Sequence, residues 1–185
     1  MLALAAVALS GCATLKLGDH QPALDTLVAL RESGIAALSV GEFKLGSGLS
    51  PDLDKHQSSR GNPIYPPAGS TFSGYLRDSL ISDLKAAGKF DPASPWTVQA
   101  QLTENNLSTG MSSGELALGA NFQVIRSGSV VFEKHILQSD SWDSSFVGAI
   151  AIPQAMNHYG QAYNSLLSKL YADADFRAAC SAKPK

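Results

Sequence analysis

Apolar side chains recur at three- and four-residue steps in two stretches of the chain, which is the spacing of amphipathic helices. The first stretch covers 71–87, where Ser70 or Thr71 can cap the helix and Gly88 can end it in a left-handed conformation. The second follows 142–152, with Pro153 suited to its first turn. The two apolar faces are formed by Phe72, Tyr75, Leu76, Leu80, Ile81 and Leu84, and by Met156, Tyr159, Tyr163, Leu166, Leu167 and Leu170. We therefore predict two long helices.

Four other stretches alternate apolar and polar residues, as half-buried β-strands do. They cover 35–43, 96–103, 115–126 and 129–138, and Ser127-Gly128 is typical of a tight hairpin between the last two. A short helix over 22–32, with Pro22 at its first position, precedes them. These elements predict an α+β fold, in one domain spanning 22–176. In it an antiparallel β-meander packs against two long α-helices, with a short N-terminal helix and strand.

The stretch 46–70 is rich in Gly, Pro, Ser and Asp and has no apolar period, so we predict a long, irregular and surface-exposed loop. Within it, Arg60 and Tyr65 are the residues best suited to contact a partner, because arginine and tyrosine combine large contact area with directed hydrogen bonds. The structural alternative is that Ile64 and Tyr65 pin the loop to the helix that begins near Thr71.

The segment from Trp142 to Phe146 places two large aromatic residues on either side of a polar stretch, between a predicted strand and a predicted helix. One interpretation is a hydrophobic staple around a helix cap at Asp143 or Ser144. The functional alternative is an exposed patch in which Trp142 and Phe146 contact a partner.

The chain begins with an apolar run that ends in Leu9-Ser10-Gly11-Cys12, the pattern of a bacterial lipobox. The run is too short to span a bilayer, which needs roughly 20 apolar residues. We expect a signal peptide over 1–11 that is incomplete at its N-terminus, because a basic n-region is missing. Either the true start codon lies further upstream or the chain is truncated. Cys12 is then the lipidated residue, and 12–21 forms a tether between the membrane and the domain.

At the other end we expect a flexible tail over 177–185, which contains the second cysteine, Cys180. If Cys12 is acylated, no disulfide can form within the chain. The thiol of Cys180 is then either inert or able to pair with a partner chain.

Fourteen basic and sixteen acidic residues give a net charge of −2 with no long like-charge block, which argues against a nucleic-acid partner. Asp52, Asp54 and His56 form a small cluster, but His-x-x-x-His and Cys-x-x-Cys spacings do not occur. No glycine-rich phosphate loop follows a strand. We therefore predict no catalytic residue, no metal and no cofactor.

Four segments carry a resemblance to known proteins: Thr71–Leu80, Leu84–Lys89, Gln101–Asn105 and Trp142–Pro153. In these segments the chain resembles a group of uncharacterised proteobacterial lipoproteins. The lipobox and the order of elements are also distantly similar to YajG-type lipoproteins and to the auxiliary lipoproteins of ABC-type envelope lipid transport. Ala13 stands where an aspartate would favour the inner membrane, so the resemblance to bacterial lipoproteins implies the periplasmic face of the outer membrane.

The sequence thus predicts a lipid-anchored, non-enzymatic protein that binds an envelope protein, with a lipid-transport assembly as one candidate. The alternative is a carrier of a small apolar ligand, with a pocket between helices and sheet, and the third hypothesis is a hydrolase. An apolar cavity would favour the carrier. A filled core with an exposed apolar patch would favour the partner-binding protein.

Overall fold

The computed structural model describes residues 15–67 and 69–181, which form two β-sheets, four α-helices and a short 3-10 helix. The α+β class is therefore confirmed. The helices are α1 (Leu24–Glu32), α2 (Phe72–Ala87), α3 (Gly148–Ala172) and α4 (Ala174–Ala179), and the 3-10 helix covers Pro51–Asp54. The strands are β1 (Leu15–Lys16), β2 (Ser39–Leu45), β3 (Gln57–Ser59), β4 (Asn62–Tyr65), β5 (Trp96–Thr109), β6 (Ser113–Arg126) and β7 (Ser129–Asp143).

The larger sheet has the strand order β2-β5-β6-β7. Strands β5, β6 and β7 are antiparallel, as predicted, and Ser127-Gly128 forms the hairpin between β6 and β7. Strand β2, however, pairs with β5 in parallel, because α2 carries the chain back to the end of the sheet where β2 began. The prediction of an antiparallel meander is therefore wrong for this sheet as a whole. It is a mixed sheet built around a β-α-β crossover.

Helix α2 is confirmed with both predicted ends. The Thr71 hydroxyl accepts a hydrogen bond from the Gly74 N–H at 3.0 Å, and Gly88 ends the helix with a φ of 70°. A second cap comes from Asp54, whose carboxylate accepts from the backbone N–H and the hydroxyl of Ser73 at 2.6 and 2.8 Å. A negative charge at the start of a helix interacts favourably with the helix dipole.

Helix α3 begins later than the cap predicted at Asp143 or Ser144. Its N-cap is Val147, which makes no side-chain capping bond, and Pro153 lies inside the helix rather than in its first turn. The reason is that β7 continues to Asp143, five residues beyond the predicted strand end. The staple interpretation of this segment is therefore wrong.

The segment 46–70 is more ordered than predicted. Besides the 3-10 helix it contains β3 and β4, which pair antiparallel, and β1 adds to β4 in parallel to complete a three-stranded sheet. The two turn residues, Arg60 and Gly61, have φ angles of 51° and 76°, as a two-residue hairpin turn requires. Ile64 on β4 is fully buried. These strands have only two to four residues each, and β1 joins β4 from a distant segment, so local alternation does not show them.

Both chain ends of the described region pack on the domain, where we predicted a tether and a tail. Leu17 is buried and its N–H donates to the Tyr65 carbonyl at 2.9 Å. At the other end, Cys180 is fully buried and Ser181 pairs with Ile35. The tether is therefore at most the residues before Leu15, and 177–181 are not a free tail.

Candidate functional site

Arg60 joins three loops at one end of the domain, which we call the loop end. Its Nη2 donates to the carbonyl oxygens of Gly110 and Ser145, both at 2.5 Å, and its Nη1 donates to the Phe146 carbonyl at 2.8 Å. A backbone bond from the Ser144 N–H to the Ser112 carbonyl, at 2.9 Å, ties two of these loops again. The β3–β4 turn, the β5–β6 turn and the β7–α3 loop thus form one unit.

The loop end carries four large apolar side chains that face solvent. The exposed fractions are 73% for Phe146, 69% for Met111, 58% for Ile150 and 52% for Val147, and we call this group the Phe146 patch. Other exposed apolar residues in the described chain are Leu24, Val28, Val130, Val131 and Leu137. Scattered exposed apolar residues are ordinary. Here three of the four lie on the loops that Arg60 and backbone bonds join, and Ile150 lies in the first turn of α3, and such a group is typical of an interaction surface.

The four predicted contact residues have different positions. Phe146 is free for a partner, whereas the Arg60 guanidinium is engaged with backbone carbonyls of its own chain. Tyr65 is half-buried at the far end of β4, where its ring lies 6.0 Å from that of His56. Ile64 beside it is buried, and both residues pair with β1, so they belong to the small sheet. That they pin the segment to the helix near Thr71 stays a prediction.

Trp142 belongs to the fold rather than to the exposed surface. It is 9% exposed and stacks on the His158 ring, with 4.1 Å between ring centroids and 6° between ring planes. Nδ1 of His158 lies 2.6 Å from a carboxylate oxygen of Asp140, which orients the ring. Across the sheet, a Cβ at Gly114 would lie 2.2 Å from Trp142, so the indole needs a glycine there.

Cys12, the predicted lipidation site, lies outside the described residues. The chain that leads from it is held by a buried polar cluster. His20 Nε2 lies 2.7 Å from one Asp83 oxygen, and the Tyr171 hydroxyl donates to the other at 3.0 Å. Burial, and the Asp83 carboxylate, raise the pKa of Tyr171 well above its usual value, so this hydroxyl stays a donor.

The candidate metal cluster does not assemble. Within the described residues, no group of three or more His, Cys, Asp or Glu side chains is arranged to hold a metal ion. Asp54 caps α2, and Asp52 forms an exposed ion pair with Lys55 at 3.6 Å. These acids therefore have structural or solvated roles.

One catalytic motif does not enter the prediction of no catalytic residue: Gly110-Met111-Ser112-Ser113-Gly114 has the Gly-x-Ser-x-Gly spacing of a nucleophile elbow. An elbow joins a strand to a helix and projects its serine from a strained turn. Here the motif lies in the hairpin between the antiparallel strands β5 and β6. The surrounding fold is therefore not that of a nucleophile elbow.

A second polar group lies on the open face of the larger sheet. His135 Nε2 is 2.9 Å from a Glu104 oxygen, and the same oxygen accepts from the Thr103 hydroxyl at 2.5 Å. Partial burial raises the pKa of Glu104, but the hydrogen bonds from Thr103 and His135 outweigh it, so the pKa is lowered overall. These three side chains hydrogen-bond to one another, and the bonds favour the ionised form of the Glu104 carboxylate.

The aromatic residues that could line a carrier pocket pack against each other instead. Tyr159 and Tyr163 are fully buried, with edge-to-face ring contacts to Phe72 and Tyr75 at centroid distances of 5.3 and 4.7 Å. The Tyr159 hydroxyl donates to the Asn105 side chain on β5. The layer between helices and sheet is filled at these residues.

Comparisons with known proteins give the fold only. No family model matches the chain. No curated protein matches it either. Among solved structures, a Xanthomonas campestris protein of the family DUF330 has a TM-score of 0.58 at 12% identity, covering 89% of this chain and 95% of that one. A minor lipoprotein from Acinetobacter baumannii has a TM-score of 0.49 at 12% identity, with 81% and 98% covered. The comparisons do not show the resemblance to YajG-type lipoproteins.

Within the described residues, no helix is both long and apolar enough to cross a bilayer, and this includes the 25 residues of α3.

Proposed function

We propose that this chain is a lipid-anchored, non-enzymatic binding protein of the bacterial envelope, held at the periplasmic face of the outer membrane through Cys12. The lipobox at 9–12 supports the anchor, and Ala13 supports the outer membrane. The observation that carries the binding role is the Phe146 patch, which Arg60 and its three carbonyl bonds build into a defined surface.

The core supports binding at the surface in preference to carriage of a ligand inside. The alternative, a ligand carrier, needs an apolar cavity between helices and sheet, and Tyr159 and Tyr163 are buried and pack on each other in that layer. The accessory role in lipid transport rests on sequence resemblance alone and is the finer part of this proposal.

Photocrosslinking in intact cells tests the binding role. A benzophenone analogue of phenylalanine replaces Phe146 in one strain and Val131 in another. Val131 is the control because it is exposed on β7 but near the end of that strand that is opposite the loop end. We expect adducts, to lipid or to protein, from position 146 and not from 131. Equal background labelling at both positions would contradict the proposed function.

Cell fractionation tests the anchor separately. Cys12→Ala removes the only acylation site that the lipobox defines, so the protein moves from the membrane fraction to the soluble periplasm. Retention of the variant in the membrane fraction contradicts the anchor. Cys180→Ala is the matched control and leaves the distribution unchanged.

A further inference from the structure

The first described residues after the predicted lipid anchor enter the structure near the end of the molecule that carries the Phe146 patch. Strand β1 pairs in parallel with β4, with Leu15 opposite Ile64 and Lys16 opposite Tyr65. Strand β4 starts at the β3–β4 turn, which holds Arg60. Moving backward from Leu15 therefore means moving toward the loop end.

Contacts with the larger sheet show where Leu15 lies along the length of β5. Gln57, which pairs with Ile64, donates to the Asn105 carbonyl at 2.8 Å, and the Ser59 hydroxyl donates to that of Thr109 at 3.1 Å. Leu15 is thus level with Asn105, four residues before β5 ends at the loop end. Four residues of a strand span about 13 Å.

Cys12 precedes Leu15 by only three residue steps, so their Cα atoms lie no more than about 11 Å apart. The opposite end of the sheet is much farther away, because a strand of 14 residues such as β6 spans about 45 Å. An acyl chain on Cys12 therefore holds the loop end, and not the β6–β7 hairpin, near the bilayer.

We infer that the Phe146 patch seats on the lipid bilayer that holds the Cys12 anchor, so that the domain contacts the membrane at two points and stands with a fixed orientation. This inference rests on the proposed function, since it names the occupant of the same surface. Apolar side chains at an interface enter the boundary between headgroups and acyl chains by about 5–10 Å. The exposed Phe146, Val147 and Ile150 side chains supply such a surface beside the anchor.

The test uses the full acylated protein in vesicles of phosphatidylethanolamine and phosphatidylglycerol with no other protein. A nitroxide label is attached to Ile150→Cys in one sample and to Val131→Cys in another, because Cys180 is buried and Cys12 carries the lipid. We expect the ratio of oxygen to nickel-chelate collisions to be higher at 150 than at 131, as for a label that lies about 5–10 Å below the headgroup surface. Adding Phe146→Ser should lower that ratio, while circular dichroism shows that the domain is still folded.

Two outcomes would overturn the inference. Equal collision ratios at 150 and 131 mean that the patch stays in water beside its own bilayer. Spin–spin broadening between labels at 150 means that a second copy covers the patch. If either result appears while photocrosslinks from position 146 reach a protein in cells, the occupant is a protein, and the proposed binding function stands without the bilayer contact.

Discussion

Arg60→Ala should destabilise the domain, although Arg60 lies at the tip of a short surface hairpin. The substitution removes the bonds to the carbonyls of Gly110, Ser145 and Phe146, at 2.5, 2.5 and 2.8 Å. It also separates the β3–β4 turn from the two other loops of the loop end. Alanine keeps the strain of the left-handed backbone at this position, where φ is 51°.

The size of the loss follows from the number of bonds and their exposure. A hydrogen bond from a charged donor contributes about 1.5–3 kcal/mol when it is buried. Arg60 is only half-buried, so water compensates for part of each lost hydrogen bond. We therefore take about 1 kcal/mol of unfolding free energy for each carbonyl. The free energy of unfolding should therefore fall by about 2–3 kcal/mol, which lowers Tm by about 4–12 °C for a domain of this size.

Urea unfolding followed by tryptophan fluorescence and circular dichroism measures the change. Arg77→Ala is the matched control, because the Arg77 Nε donates to one carbonyl only, that of Gly41 at 3.0 Å, and should cost about 1 kcal/mol. Arg60→Gly should be less damaging than Arg60→Ala by about 1 kcal/mol, since glycine accepts the positive φ. If Arg60→Ala costs no more than Arg77→Ala, Arg60 does not hold the loop end together.

Three further predictions concern the core. Leu80→Ala should lower the free energy of unfolding by about 2–5 kcal/mol, because Leu80 is fully buried on α2. Asp78→Ala, on the exposed face of the same helix, should change it by less than about 0.5 kcal/mol. Equal losses in thermal unfolding would refute the burial assignment. Gly114→Ala should displace the Trp142 indole and shift its fluorescence, and an unchanged spectrum and Tm would contradict the 2.2 Å approach. Burial raises the pKa of Cys180 to about 12, so the folded protein at pH 8 should not react with a thiol reagent until urea unfolds it.

Much of the fold follows from local patterns. Helix α2 could be placed to within one residue because its apolar spacing, its Thr71 cap and its Gly88 stop all lie within one continuous segment. The β6–β7 hairpin could be placed for the same reason, since Ser127-Gly128 occupies its turn. Where one segment contains all the information for an element, the sequence is sufficient.

The remaining features depend on partners that are distant in the chain. The two residues of β1 form a strand only because they pair with β4, and the short hairpin of β3 and β4 is held to β5 through Gln57 on β3. The parallel pairing of β2 likewise depends on where α2 returns the chain. The role of Arg60 could not be found either, because an arginine suited to a partner is equally suited to carbonyls of its own chain 50 and 86 residues away.

The last described residues close the domain against its early part. The Ala36 N–H donates to the Cys180 carbonyl at 2.8 Å, Ser181 pairs with Ile35, and Phe176 is fully buried. Because synthesis proceeds from the N-terminus, this closure forms only after all the residues between Ile35 and Cys180 have left the ribosome. A stop codon in place of Phe176 would remove the buried ring and the contact of Cys180 with Ala36 together. The product would be a chain with an open core, which is a substrate for proteases.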